Sequence, residues 1–293
     1  MAVRHFAGTS RLSQRLDRPL RVAHVTDQHV GLATPHRAQL AAVAHVNTMK
    51  PDLVVLTGDY VAHSLKHLEA LEDILIRIKA PMIGVLGNHD HWSGADEVRA
   101  SLRKVGVEVL DNAVTTVTLH GQRLQVLGLD DAHTGHADVR TAVRSLDPRL
   151  PTLGLSHIGE EADELWEHGV SLVLSGHTHS GQVSYGGLNR VTVGAVNRAR
   201  YVHGLYGCRE GDRFPGAVYV SAGIGAAVVG VRLGERAKRE VAVFELGVNP
   251  AHMRDREHHA EQDALPEDRA ELARVELRRL KQRWQESMQG VAI

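Results

Sequence analysis

The chain has 293 residues, 43% hydrophobic and 24% charged, with 34 Lys and Arg set against 35 Asp and Glu for a net charge of -1. That balance suits an ordinary globular protein and gives no global electrostatic reason to bind nucleic acid or a membrane surface. A single cysteine, Cys208, excludes an intrachain disulfide and a thiolate metal cluster, and with no apolar run near the N-terminus the expected location is the cytoplasm.

In chain order, residues 20–26 read as a buried strand and 35–49 as a helix, with Thr34 as N-cap and Pro35 in the first turn. Residues 53–57 form a second apolar run, and 65–79 an amphipathic helix carrying Leu68, Leu71, Leu75 and Ile78 on one face. A third strand over 82–86 and a helix over 95–105 complete a βαβαβα series, which argues for parallel strands covered by helices. The pattern then changes. Residues 114–119 and 124–129 flank His120-Gly121 as a hairpin, followed by a helix over 138–146, a strand over 152–156, a helix over 160–168 and a strand over 171–175. Further strands are expected over 191–193, 217–221 and 240–246. The fold class is therefore α/β: two mixed sheets face to face with helices outside, a four-layer α/β/β/α sandwich. Residues 1–19 read as an N-terminal extension, 20–249 as one domain, and 250–293 as a polar linker followed by a charged helix. That last helix places acids first and bases last, which complements its dipole. It is expected to dock on its own domain or on a sister subunit, forming a homo-oligomer.

The strand ends carry the chemistry. They deliver Asp27-Gln28-His29, Gly58-Asp59, Gly87-Asn88-His89-Asp90, His157 and Gly176-His177-Thr178-His179 in succession. Ligands of open α/β sheets bind at the carboxyl ends of strands. Any one of these pieces alone reads as a turn or a surface histidine; five consecutive strand ends bearing metal-ligand side chains form a constellation. In an extended chain Asp27 and His29 would leave the same face, as would His177 and His179. Oxygen and imidazole donors without thiolate suit Mn, Fe or Zn. The donors are too many for one ion, and Asp59 is the carboxylate placed to bridge two.

These motifs resemble the calcineurin-like metallophosphoesterase superfamily over roughly residues 20–246. The stretch SGHTHSGQ, with LSH before it and VSAGIG after it, is similar to the bacterial YkuE-type phosphodiesterase branch. The resemblance implies a double-sandwich fold and a dinuclear centre. It implies that Asp27, His29, Asp59 and His179 hold one metal, that Asp59, Asn88, His157 and His177 hold the other, and that His89 is catalytic. Members that dephosphorylate proteins carry Gly-Asp-x-x-Asp-Arg-Gly at the second motif. Here Ala62 and His63 stand where that subgroup has its Asp and Arg, so a small phosphodiester or pyrophosphate is expected over a phosphoprotein. Arg198, Arg200 and His203, in a loop beyond the metal motifs, are candidates to hold substrate phosphate together with Asn88. Two other readings stay open: a sugar-nucleotide pyrophosphatase or nuclease on the same site, and a metal-binding scaffold with weak catalysis. The balanced charge argues against a nuclease.

Overall fold

The computed structural model describes residues 1–179, 199–209, 216–226 and 238–252. Strand alternation decides its layers. In β2 (Leu20–Val25), Leu20 and Val22 face one side while Ala23 and Val25 face the other, as the twofold period of a strand requires. The same split recurs in β3 (Leu53–Thr57), with Leu53 and Val55 opposed to Val54 and Leu56. Both faces of these strands are apolar, so both must be covered.

The first sheet has the order β1 (Ala2–Ala7), β12 (Glu240–Leu246), β2, β3, β4 (Met82–Val85) and β5 (Val107–Val109). The run from β2 to β5 is parallel, and β12 lies antiparallel to β2. The second sheet has the order β10 (Gly204–Gly207), β11 (Ala217–Val220), β9 (Leu172–Ser175), β8 (Thr152–Leu155), β7 (Gln122–Gly128) and β6 (Ala113–Leu119). Here β11, β9, β8 and β7 are parallel, with antiparallel partners at each edge. Leu53, Val55 and Ile83 of the first sheet meet Leu153, Leu172 and Leu174 of the second in one core between the sheets. Outside the first sheet, α2 (His36–Met49), α3 (Leu68–Leu75) and α4 (Asn88–Lys104) bury Val46, Leu71, Ile74 and Leu102 on its outer face. Outside the second, α5 (Val139–Val143) and α6 (Ala162–Glu167) do the same with Val139, Leu165 and Trp166. The four-layer sandwich of two mixed sheets is therefore the observed fold.

Several local expectations need correction. Residues 1–19 are not outside the fold: β1 pairs in parallel with β12 along Ala2 to Ala7, and α1 (Ser10–Ser13) follows it. Only Phe6 and Ala7 of β1 are buried, so an edge strand of this kind leaves a weak hydrophobic signal. Thr34 does not cap α2. Pro35 occupies the N-cap, and the Thr34 hydroxyl instead accepts from the amide of Ala226. The helix expected from residue 95 begins at Asn88, with a break at Gly94, whose φ is 134°. Strands β5 and β10 went unforeseen, β5 because three residues are too few to show a period and β10 because Gly204 and Gly207 bracket it as turn residues do. The strand expected over 191–193, Arg198 and the charged helix after residue 252 lie outside the described residues. Among the described residues no helix is long and apolar enough to cross a membrane.

Candidate metal centre

The carboxyl ends of β2, β3, β8 and β9 and the start of α4 converge on one buried cluster. The chain leaves each of these strands by an abrupt turn. Asp27, His29, Asp59, His177 and His179 all have positive φ, between 42° and 71°. This region costs an L-residue about 1–2 kcal/mol, and such outliers gather at functional sites. Eight non-glycine residues adopt it among the described residues, and five of them belong to this cluster. The turns overrule the extended-chain expectation for His177 and His179, which reach different donors, whereas Asp27 and His29 do converge on one group. His177 Nδ1 lies 3.0 Å from Asn88 Oδ1, while His179 Nε2 lies 2.9 Å from His29 Nε2.

Two groups of donors result. One atom each of Asp27, His29, Asp59 and His179 lies within 4.8 Å of all the others. The second group joins Asn88 Oδ1 to His157 Nε2 at 3.2 Å and to His177 Nδ1 at 3.0 Å. Asp59 stands between them: its Oδ2 is 3.3 Å from His29 Nε2 and 3.4 Å from His157 Nε2. Its Oδ1 accepts from the amide of His89 at 2.9 Å, which fixes the carboxylate's orientation. Outer partners aim the rest. His157 Nδ1 donates to the carbonyl of Thr57 at 2.7 Å, presenting Nε2 to the cluster. The Thr26 hydroxyl and the amide of His177 donate to Asp27. Such second partners tune metal ligands as much as they orient them. Gly87 is a steric requirement, since a Cβ there would lie 2.4 Å from Asp59 Oδ1 and 2.9 Å from His157 Cε1.

The electrostatics of the cluster call for positive charge. Burial lowers His157, but the Asp59 carboxylate beside it overrides burial and pushes it up to about 10. Burial raises Asp59, and His157 and His29 outweigh that, holding it well below the ordinary carboxylate range. Burial raises Asp27, and burial followed by repulsion from His157 lowers His177 to about 3. Carboxylates and imidazoles that share protons in this way exchange them for a cation when one binds. The donor set thus fits two divalent ions.

Helix α4 supplies the rest of the site from its first turns. Asn88 enters the cluster. Asp90 accepts from the amides of Gly87, Asp59 and Tyr60 at 2.8–2.9 Å, stapling the end of β3 to the start of α4. Burial and then the nearby Asp59 push Asp90 up to about 7. Asp90 is therefore not the partner of His89. His89 Nδ1 donates at 2.6 Å to the carbonyl of Ala62, so a backbone oxygen at that position orients this imidazole. Sequence reasoning missed this because a carbonyl leaves no mark on residue identity. His89 follows Asn88 in the first turn of α4, where helical rotation turns successive side chains apart.

The loop candidates are engaged elsewhere. Arg200 forms an ion pair with Asp163, and its amide donates to Glu160 at 2.6 Å. His203 is buried with its Nε2 3.2 Å from Glu240 Oε1. Each of the two is thus engaged by a carboxylate, and Arg198 is not described.

A family profile described as calcineurin-like phosphoesterase matches residues 20–181. The chain is 32% identical over 210 residues to the uncharacterized metallophosphoesterase YkuE of Bacillus subtilis, covering 69% of this chain and 70% of that protein. It is 29% identical over 234 residues to the phosphodiesterase YaeI of Escherichia coli, covering 78% of this chain and 82% of that protein. With this profile spread over more than half of the chain and all five strand-end motifs inside it, the chain belongs to the calcineurin-like phosphoesterase family and is a phosphoester hydrolase.

Proposed function

We propose that the protein is a dinuclear phosphodiesterase acting on small phosphodiesters. In this reading Asp27, His29, Asp59 and His179 hold one divalent ion, and Asp59, Asn88, His157 and His177 hold the second. The observation that carries it is the near-equal reach of Asp59 Oδ2 to His29 at 3.3 Å and to His157 at 3.4 Å. Two ions so held would supply charge neutralisation on a phosphoryl group and would lower the pKa of a bound water. Oxygen and imidazole donors suit Mn, Fe or Zn.

The chain's own contribution centres on His89. Its Nδ1 keeps a hydrogen on the Ala62 carbonyl, so Nε2 is the atom that exchanges a proton with the leaving oxygen. Protonation helps most when that oxygen would otherwise depart as an alkoxide. Asp90 holds the backbone from which Asp59 and His89 project, so the geometry between them is preset. A phosphodiester is favoured over a phosphoprotein because Ala62 and His63 occupy the positions where the protein-dephosphorylating subgroup has Asp and Arg. The similarity to YaeI, named a phosphodiesterase, supports the same choice.

The test is a comparison of kcat/KM for alkyl and nitrophenyl phosphodiesters, a sugar-nucleotide pyrophosphate and a phosphoserine peptide, on protein loaded with Mn, Fe or Zn. The phosphodiesters should lead, and a faster phosphopeptide or pyrophosphate would overturn the substrate class. His89→Ala should keep both metals by elemental analysis and lose about 10²–10⁴-fold on alkyl esters, but less on nitrophenyl esters. Equal losses on both would remove the proton-transfer role.

A further inference from the structure

The turn that carries Asn88 and His89 also carries Trp92, which is 59% exposed. The chain's other described tryptophan, Trp166, is buried with its indole N–H directed at the carbonyl of Ala217. Trp92 instead presents its indole to solvent at the edge of the metal cluster. Its ring centroid lies 5.0 Å from that of His89 and 5.7 Å from that of His133. His133 is in turn 5.3 Å from His177, and His63 is 4.6 Å from His89. Trp92, His133 and His63 are all exposed, so these rings form a π-rich wall beside the cluster donors. The two imidazoles meet the indole at 62° and 74°, and neither lies flat against it.

A solvated indole beside catalytic groups has a specific physical use. It offers a broad flat surface at little entropic cost, because few torsions must be frozen to use it. Flat aromatic rings pair with it in offset or edge-to-face arrangements. On the proposed phosphodiesterase reading, a diester whose phosphorus sits at the cluster would place its leaving group next to His89, and hence next to Trp92.

We infer that Trp92, flanked by His133, binds a planar aromatic ring of the substrate's leaving group, so that the enzyme selects phosphodiesters bearing an aryl group or a nucleobase. A linear hydrocarbon would gain area on the indole but no ring pairing, so the preference should be for flatness and not for greasiness alone. The inference rests on the dinuclear site as read above, and the experiment separates the two.

Methyl phenyl phosphate and methyl n-hexyl phosphate are compared on wild type, Trp92→Ala and Trp92→Phe, with metal content and circular dichroism checked for each. Ring stacking on an aromatic side chain, judged by alanine substitution, corresponds to roughly tenfold in affinity. Trp92→Ala should therefore lower kcat/KM on the phenyl ester about tenfold, chiefly through KM, and lower it far less on the hexyl ester. Trp92→Phe, which keeps a ring, should recover most of the loss. Calorimetric titration with two monoester ligands provides a second readout: wild type should bind phenyl phosphate more tightly than n-hexyl phosphate, and Trp92→Ala should bind them alike. Equal losses on both esters, or an unchanged phenyl ester, would overturn the inference while leaving the phosphodiesterase reading intact. Failure to turn over either diester, with the calorimetric preference present and abolished in Trp92→Ala, would overturn the phosphodiesterase reading and leave the ring site standing.

Discussion

Two buried polar regions lie back to back at one end of the sandwich, and they solve the problem of buried charge in opposite ways. The first is the Asp27–Asp59 cluster. The second is centred on Glu240 at the start of β12. The Glu240 carboxylate is fully buried, yet it accepts from Tyr219 Oη at 2.8 Å, Ser221 Oγ at 3.1 Å and the amide of Ala222 at 2.9 Å. It also pairs with Arg4 of β1 and with His203. Burial raises its pKa, but His203 and these other partners outweigh burial and hold it far below the ordinary carboxylate range. None of Arg4, His203, Tyr219, Ser221 and Glu240 has a positive φ. The Glu240 hub is complete with its own donors and relaxed. The cluster holds two carboxylates and four imidazoles on a strained backbone and relies on protons or cations from outside. A buried charge network supplied with donors serves the fold; one left short of positive charge serves a ligand.

The largest expected effect breaks the cluster side of the comparison. Asp59→Asn removes the one carboxylate that reaches both donor groups, so occupancy of both metal positions should fall together. Two-metal charge stabilisation is worth several kcal/mol, so activity should drop by at least about 10³-fold. Elemental analysis alongside kcat measures this. An active variant with two full equivalents of metal would show that Asp59 is not shared.

The next effect breaks the hub side. Glu240→Ala removes the carboxylate that Arg4 and His203 share, and removal of one partner from a buried pair costs about 3–5 kcal/mol. Denaturant unfolding should show that loss, and Glu240→Gln should recover part of it by keeping an acceptor oxygen. The pH dependence has a fixed sign. Because the folded carboxyl lies below its ordinary value of 4.5, the unfolded chain binds the extra proton in acid. The stabilisation is thus fully present above about pH 4.5 and is lost as pH falls below it. Wild type should lose stability on acidification through that range more steeply than Glu240→Gln. Matching slopes would show that Glu240 titrates alike in both states.

The contrast between the two regions also explains what could be read from the sequence. The cluster's residues were legible because each sits within four positions of the end of a buried strand, so a local pattern reports them. Their geometry was not, because the left-handed turns at Asp27, His29, Asp59, His177 and His179 are imposed by close packing of distant segments and break the alternation that spacing arguments assume. The hub was invisible throughout. Arg4 and Glu240 are 236 residues apart in the chain, and His203 and Glu240 are 37 apart, so no motif joins them. The same blindness made Arg200 and His203 look available for phosphate, when Asp163 and Glu240 already engage them. The four-layer architecture was readable because the helical and strand periods are local, whereas β1 was missed because an edge strand with two buried residues does not show its period.

The smallest expected effect probes the seam between the regions. Residues 221–226 leave β11, accept support from Glu240, and then run beneath the first metal-side turn: the amide of Ile224 donates to the carbonyl of Thr26 at 3.1 Å and that of Gly225 to the carbonyl of Asp27 at 2.6 Å. Gly223 lies where this segment passes closest to the cluster. Its φ is +71°, and a Cβ built there would come within 2.5 Å of Asp27 Cβ and 3.1 Å of Asp27 Oδ2. Gly223→Ala therefore meets both a backbone penalty and a clash, and the clash falls on a proposed ligand. The hub is strongly anchored, so Asp27 should give way, moving its carboxylate relative to His179, now 3.4 Å away. Disturbing the support of a ligand typically costs 10–100-fold in metal affinity, and a displacement confined to one of the four donors should sit near about tenfold. Raising the metal concentration should then restore most of the activity, because Asp59, His157 and His89 are untouched. A titration of activity against metal concentration reads the shift directly. If Gly223→Ala instead lowers the maximal rate at saturating metal and leaves the metal midpoint unchanged, the strain has been absorbed by the hub, and the two regions are less independent than their contrasting chemistry implies.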